Sequence, residues 1–283
     1  MTVLIAGCGD LGTEAGLRFA AAGHEVFGIR RSPEKLPPQI RGVKADLSYE
    51  VPDLRFDAEI VVVSLAADAS TEDAYRAAYV DGLRNVLDAV DRQTRPPQRL
   101  LFVSSTAVYP DAGGAVVDEN TPTEPTRFSG KVLLEAEQLL LDRAGEASAA
   151  VLRLGGIYGP GRTRLIDQVR SGQAVIPGQP KHTNRIHRDD AAGMIVHLAT
   201  MEAQPEPLYL GVDDESAELG DVLRFLAQEL RLPEPLVGPA SDGGAGDKRC
   251  SNRRLRSTGF EFTYPTFREG YRAILAGEGV RHP

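Results

Sequence analysis

Thr2-Val3-Leu4-Ile5-Ala6-Gly7-Cys8-Gly9-Asp10-Leu11-Gly12 is the stretch that decides the fold. A short apolar run leads straight into Gly-x-Gly-x-x-Gly, and an amphipathic helical pattern opens at about residue 11. Each glycine has a physical task in such a loop: a tight turn, close approach of backbone to a pyrophosphate, and close packing of helix on strand. The helix start then offers unpaired N–H groups and a positive dipole end to phosphate oxygens. Gly7, Gly9, Asp10, Leu11 and Gly12 are therefore expected to hold a dinucleotide. A merely tight strand-to-helix turn would rarely need all three glycines.

Outward from this loop, short β-branched runs recur at about 25–29, 59–64, 99–103 and 149–154. Helical patterns lie between them at about 11–22, 72–92 and 127–143. Strand–helix alternation of this kind predicts an α/β fold, a Rossmann-type doubly wound parallel sheet with right-handed crossovers. After Arg153 the pattern loosens. Gly155-Gly156-Ile157-Tyr158-Gly159-Pro160-Gly161 opens a mixed region with a helix near 189–200, a strand near 207–210 and a helix near 219–230. The Pro- and Gly-rich segment from Pro235 to Lys248 reads as an exposed loop. The expected organisation is a dinucleotide-binding domain at 1–155, to which segments near 186–212 return, and a smaller C-terminal substrate-binding lobe at 156–283.

Composition narrows the partners. A formal charge of −8 over 283 residues argues against nucleic acid or an anionic membrane surface. No apolar run approaches the roughly 20 residues that span a bilayer. The N-terminal run has no basic region before it and reads as a first strand, not a signal peptide. The 2 cysteines, Cys8 and Cys250, lack metal-like spacing and read as free thiols in a reducing cytoplasm. No metal is expected, the expected location is cytoplasmic, and a homodimer stays open.

The end of the second strand bears on cofactor choice. An NAD site carries an acidic residue there for the ribose 2′-hydroxyl. This chain instead has Arg30-Arg31-Ser32. Two guanidinium groups can clamp a 2′-phosphate, so NADP is expected in preference to NAD. The bland alternative is a pair of solvated arginines.

Further on, Leu100-Leu101-Phe102-Val103 ends in Ser104-Ser105-Thr106-Ala107-Val108-Tyr109, and some twenty residues later comes Arg127-Phe128-Ser129-Gly130-Lys131 with Glu135 one turn beyond. These residues resemble the extended and atypical short-chain dehydrogenase/reductase superfamily, the NAD-dependent epimerase/dehydratase group, and the likeness covers nearly the whole chain. Ala45-Asp46-Leu47 is similar to the family's third-strand end, where the Asp contacts adenine. Ser64-Leu65-Ala66-Ala67 is similar to the turn that flanks the cofactor. The run from Val151 to Arg162 matches the family's sixth-strand signature, Ile186-His187-Arg188-Asp189-Asp190-Ala191 its later His-Val-Asp-Asp segment, and Ser251 through Pro265 its C-terminal lobe. The shortened glycine loop points to an atypical subgroup.

The resemblance implies that Asp46, Leu47, Ala66 and Ala67 contact the cofactor, that Lys131 holds its nicotinamide ribose, and that Ser105 orients the substrate. Four residues before that lysine, the family's tyrosine is replaced by Arg127, which cannot give up and recover a proton. Tyr79 stands where many members carry an Asn. Tyr79, Tyr109, a water held by Ser105, or Arg127 as an electrostatic stabiliser remain as substitutes. The Asp189-Asp190 pair reads as a helix N-cap and His187 as a packed histidine. Arg253, Arg254 and Arg256 form either a solvated face or an anion site. Two functions compete: an NAD(P)-binding oxidoreductase or epimerase/dehydratase-like enzyme for a small hydroxyl- or carbonyl-bearing substrate such as a nucleotide sugar, or a catalytically silent NADP(H)-binding sensor or interaction protein.

Overall fold

Seven parallel strands make the central sheet: β1 (Thr2–Ala6), β2 (Glu25–Arg30), β3 (Ile40–Lys44), β4 (Ile60–Val63), β5 (Arg99–Ser105), β6 (Ser148–Leu154) and β7 (Leu208–Gly211), in the order β7-β6-β5-β4-β1-β2-β3. The structure, a computed structural model, describes residues 1–239 and 246–283. This is the doubly wound, Rossmann-type sheet expected from the alternating pattern. Its strands are apolar on both faces because both faces are covered. In β4, Ile60 and Val62 join one core while Val61 and Val63 join the other; in β1, Val3 and Ile5 oppose Leu4 and Ala6 in the same way.

The helices that cover the sheet are α1 (Asp10–Ala21), α2 (α-helical at Glu72–Tyr75 and Gly82–Val90, with a π-turn at Arg76–Asp81 between), and α3 (Phe128–Arg143). One strand escapes the sequence pattern. β3, Ile-Arg-Gly-Val-Lys, pairs only with β2 and exposes Arg41, Gly42 and Lys44. An edge strand of that kind has no apolar run to announce it.

Beyond β6 the chain leaves and re-enters the sheet. Helix α4 (Arg164–Arg170) follows, α5 (Arg188–Thr200) packs against α1, and β7 extends the sheet beside β6. Helices α6 (Leu219–Leu230), α7 (Arg253–Ser257) and α8 (Phe267–Leu275) follow. A third core of Tyr158, Ile166, Val169, Leu226, Phe267 and Tyr271 holds α4, α6 and α8 together. The expected loop at 235–248 needs correction at both ends. Leu236–Val237 pairs with Val175–Ile176, and Lys248 is only 3% exposed. Lys248 is drawn in because Arg249–Cys250 pairs with Val116–Val117 and its Nζ donates to the Tyr109 carbonyl at 3.3 Å. The middle of that segment, 240–245, lies outside the described residues.

Behind the C-terminal ends of β5 and β6 sits a buried ionic cluster. Arg153 Nη2 donates to Glu137 Oε2 at 2.6 Å, with side chains 7% and 6% exposed. Ser104 Oγ donates to Glu137 Oε1 at 2.5 Å, and Arg153 Nη1 donates to the Tyr109 hydroxyl at 2.8 Å. Removing one partner of such a pair strands a buried charge, whereas replacing both by apolar groups can be neutral. Glu137→Gln should therefore lower the unfolding free energy by about 3–5 kcal/mol in urea titration. Glu137→Leu combined with Arg153→Met should recover most of that loss. A single-variant loss below about 1 kcal/mol would show that the cluster is not strongly coupled to folding.

Candidate active-site cleft

The glycine loop is shaped by contacts that exclude side chains. Gly7 has φ +83°, and a Cβ there would lie 2.5 Å from the Ser64 carbonyl oxygen at the end of β4. A Cβ on Gly12 would meet Gly7 O at 2.9 Å and Ile5 Cγ2 at 3.0 Å, so this glycine lets α1 sit on β1. Gly9 differs: nothing lies within 4 Å of its would-be Cβ. Its open face borders a cavity of about 350 Å³, also lined by Gly7, Asp10, Leu11 and Gly12. Room above Gly9 at the start of α1 fits a pyrophosphate group.

Asp10 is the first residue of α1, and its carboxylate is almost fully engaged. It accepts from Arg162 Nε at 2.9 Å, from Arg188 Nη1 at 3.1 Å and from the His282 backbone N–H at 3.1 Å. The last residues lie across this end of the molecule. His282 Nε2 is 2.9 Å from Glu14 Oε2, Arg188 Nη2 donates to Val280 O at 2.8 Å, and Arg281 Nη1 donates to Gly161 O at 2.8 Å. No sequence signal singled out this segment.

A second cavity of about 400 Å³ continues from Gly7 and Gly9 past Arg30, Arg31, Asp46, Leu47, Ala66 and Ala67. The residues expected around an adenosine moiety thus share one hollow. Lys35 lines it too and was missed, because it follows Pro33 in a 3₁₀ turn outside the strand-end pattern. The arginines are not idle. Arg31 makes a two-pronged pair with Asp68 at 2.6 and 2.8 Å, and Arg30 Nη1 donates to the Pro283 carbonyl at 2.9 Å. Cys8 also lines this cavity, with its thiol pushed up to about 11 by burial.

At the other end of the cleft, the expected catalytic residues separate. Ser105 lines the first cavity, and its Oγ accepts from Ala107 N at 3.2 Å, capping the 3₁₀ turn Thr106–Val108. Arg127 and Lys131 do not join it. Arg127 is the exposed N-cap of α3, Lys131 is exposed in its first turn, and neither lines the cavities at Ser105. The buried residues of α3 are Gly130, Val132, Leu133, Ala136, Glu137 and Leu140, and Leu133 is the one that reaches the cleft. Lys131 lies two residues from Leu133, about 200° round the helix. Glu135 pairs with Arg76, at 2.7 and 2.8 Å, and not with Lys131.

The phenols divide as well. Tyr79, in the π-turn of α2, lines the cleft, and burial pushes its hydroxyl up to about 12. Tyr109 does not reach it; its hydroxyl donates to Asp118 O at 2.8 Å and accepts from Arg153. The helix cap expected of Asp189-Asp190 is made by His187, whose Nδ1 accepts from Asp189 N at 3.2 Å. Asp190 instead accepts from the N–H groups of Thr263 and Tyr264 at 2.8 and 2.9 Å. His187 is packed against Tyr264, and burial pushes it down to about 4, so it is neutral. Arg254 and Arg256 hold Leu208 O and Asp214 and line none of these cavities.

A third cavity, about 580 Å³, opens between the sheet and the lobe. It shares Ser105, Gly155, Ile157 and Arg162 with the first. Arg164, Lys181, His182, Arg185 and Lys248 also line it. Sequence reasoning passed over these, although the basic run from Lys181 to Arg188 carried the signal.

A model of the NAD dependent epimerase/dehydratase family matches residues 3–211. Protein YeeZ of Escherichia coli (strain K12) is 29% identical over 272 residues, covering 93% of this chain and 96% of its own length. A solved structure from Methylobacillus flagellatus, assigned as an NAD-dependent epimerase/dehydratase, is 39% identical with a TM-score of 0.79 and 98% of each chain covered. The human epimerase family protein SDR39U1 (isoform 2), solved with NADPH, is 19% identical, covers 98% of this chain and 99% of its own, and shares the fold at a TM-score of 0.80. With the glycine loop, the sheet order and the family match all falling on the same residues, the chain belongs to the NAD dependent epimerase/dehydratase family.

Proposed function

We propose that this chain binds NADP(H) in preference to NAD(H) and acts as an oxidoreductase or epimerase/dehydratase-like enzyme on a small hydroxyl- or carbonyl-bearing substrate, a nucleotide sugar being one fitting class. The observation that carries the reading is the junction of the glycine-loop cavity with the basic cavity. The cleft beside the glycine loop opens at Ser105 into the basic cavity under the lobe. In this reading the nicotinamide, when bound, exchanges hydride with a substrate carbon at that junction. Gly9 and the start of α1 hold the pyrophosphate, and Arg30, Arg31 and Lys35 face the 2′-phosphate. Ser105 Oγ orients the substrate oxygen, and Tyr79 holds the proton. Arg127 and Lys131 have no part in it.

A second reading has a specific observation in its favour. The α3 residue that reaches the cleft is Leu133, and the Tyr79 hydroxyl is governed by burial, by the neighbouring Tyr75 and by the Ala67 backbone. A protein that holds the cofactor as a sensor needs neither. Following NADPH fluorescence with a panel of sugar nucleotides and aldehydes separates the two: binding with turnover supports the enzyme, binding without turnover the sensor.

Two outcomes follow for the enzyme. In the oxidising direction Tyr79 must accept a proton, and its phenolate fraction grows about tenfold per pH unit below its raised value. The rate of NADPH formation should climb steeply from pH 7 to pH 10 without a plateau, and Tyr79→Phe should lower it by about 10²–10⁴-fold. A plateau already reached near pH 7 would exclude Tyr79 as the proton carrier.

Wild type should bind NADPH about tenfold more tightly than NADH, with the gap narrowing as salt rises. Asp68 competes for Arg31, but both side chains are well exposed, at 69% and 59%, so the pair holds at most about 1 kcal/mol. Asp68→Asn should tighten NADPH by up to about fivefold and leave NADH unchanged. Equal binding of the two cofactors by wild type would mean that the arginines do not read the phosphate.

A further inference from the structure

We propose that Arg185 is the anchor for an oxyanion of the substrate, a phosphate or a carboxylate group, at the floor of the basic cavity. The proposal deepens the reading of that cavity as the substrate site and rests on it for location. Arg185 begins the short strand Arg185–His187, which pairs in parallel with Gly156–Tyr158. That pairing carries the side chain inside, where it is 6% exposed and lines the cavity. Its Nη1 is buried and has no hydrogen-bond partner. Arg185 forms no ion pair among the described residues. The neighbouring groups do not supply one: the Tyr271 hydroxyl lies beside it, and the Asp213 carboxyl, pushed up by burial, forms no ion pair with it and leaves its own Oδ2 without a hydrogen bond.

A buried guanidinium without a counter-ion is costly, and an unpaired donor in such a place calls for an explanation. The surroundings supply one. Among the described residues no carboxylate lines this cavity, whereas Arg162, Arg164, Lys181, His182 and Lys248 do. Several of these are committed already: Arg162 to Asp10, His182 to Asp247, and Lys248 to Tyr109 O. Arg185 Nη1 is not. In a chain of net charge −8, a cavity lined by one sign of charge concentrates anions locally. The arrangement is that of a site built around a charge the ligand brings.

The test uses NADPH-saturated protein, with inorganic pyrophosphate and malonate as probes for the phosphate and carboxylate forms of the group. Wild type should gain thermal stability with at least one probe. Arg185→Met should melt higher than wild type without a probe, because an unpaired buried charge is gone. Its dissociation constant for the effective probe should rise at least about tenfold, with Arg185→Lys in between. A response to pyrophosphate assigns a phosphate group and a response to malonate a carboxylate; either supports the anchor. An unchanged constant in Arg185→Met, or no response of wild type to either probe, would overturn it. Cofactor binding is scored separately by NADPH fluorescence. If wild type fails to bind NADPH, the cofactor reading falls, while the same comparison of wild type and variant without cofactor still decides the role of Arg185.

Discussion

The constraint on which the cleft depends is a contact between two stretches of backbone. At Gly7 the chain turns out of β1 so close to the end of β4 that a methyl group would collide with the Ser64 carbonyl. That approach fixes where α1 starts. It aims the helix's first N–H groups along the carboxyl ends of the strands, where open α/β sheets hold their ligands. Gly7 and Ser64 accordingly line both the cavity above the helix start and the one beside Arg30. Any side chain at residue 7 would separate β1 from β4 and remove the floor of both.

On the far side of the cleft, positions are set by charge buried deep behind it. Glu137, Arg153 and Ser104 tie α3, β6 and β5 together one residue behind Ser105. The rotation of α3 follows, because Glu137 must point inward, and Leu133, one turn earlier, then points at the cleft. The same rotation carries Lys131 to solvent. Glu137 and Arg153, which line none of the three cavities described, therefore decide which side chain of the helix a ligand would meet.

The strengths and failures of reading the sequence follow from this division. Local steric rules govern the glycine loop and the apolar strands, and local rules are visible in a linear chain, whereas Asp46, Leu47, Ala66 and Ala67 came from the family resemblance. Edge strand β3 was marked only by the family likeness at Ala45-Asp46-Leu47, because one face is wet and its apolar pattern is broken. The helix expected at about 127–143 forms, and which of its faces turns inward is set by the stripe of Gly130, Leu133, Glu137 and Leu140, while Arg127 and Lys131 of the family motif lie exposed at its start. Arg185 was passed over because an uncompensated buried cation can be recognised only when its neighbours in space are known.

Arg281, His282 and Pro283 touch Asp10, Glu14, Arg30 and Gly161, which puts them at the threshold of the hollow beside the glycine loop. The carbonyl of Pro283 occupies the guanidinium that a 2′-phosphate would seek. Ordering of this segment and occupancy of the hollow are thus two sides of one equilibrium, each altering the other by the same factor. A guanidinium that already holds a carbonyl is offered to a phosphate only when that bond is given up, so the affinity of the hollow would carry the cost of displacing residues 281–283.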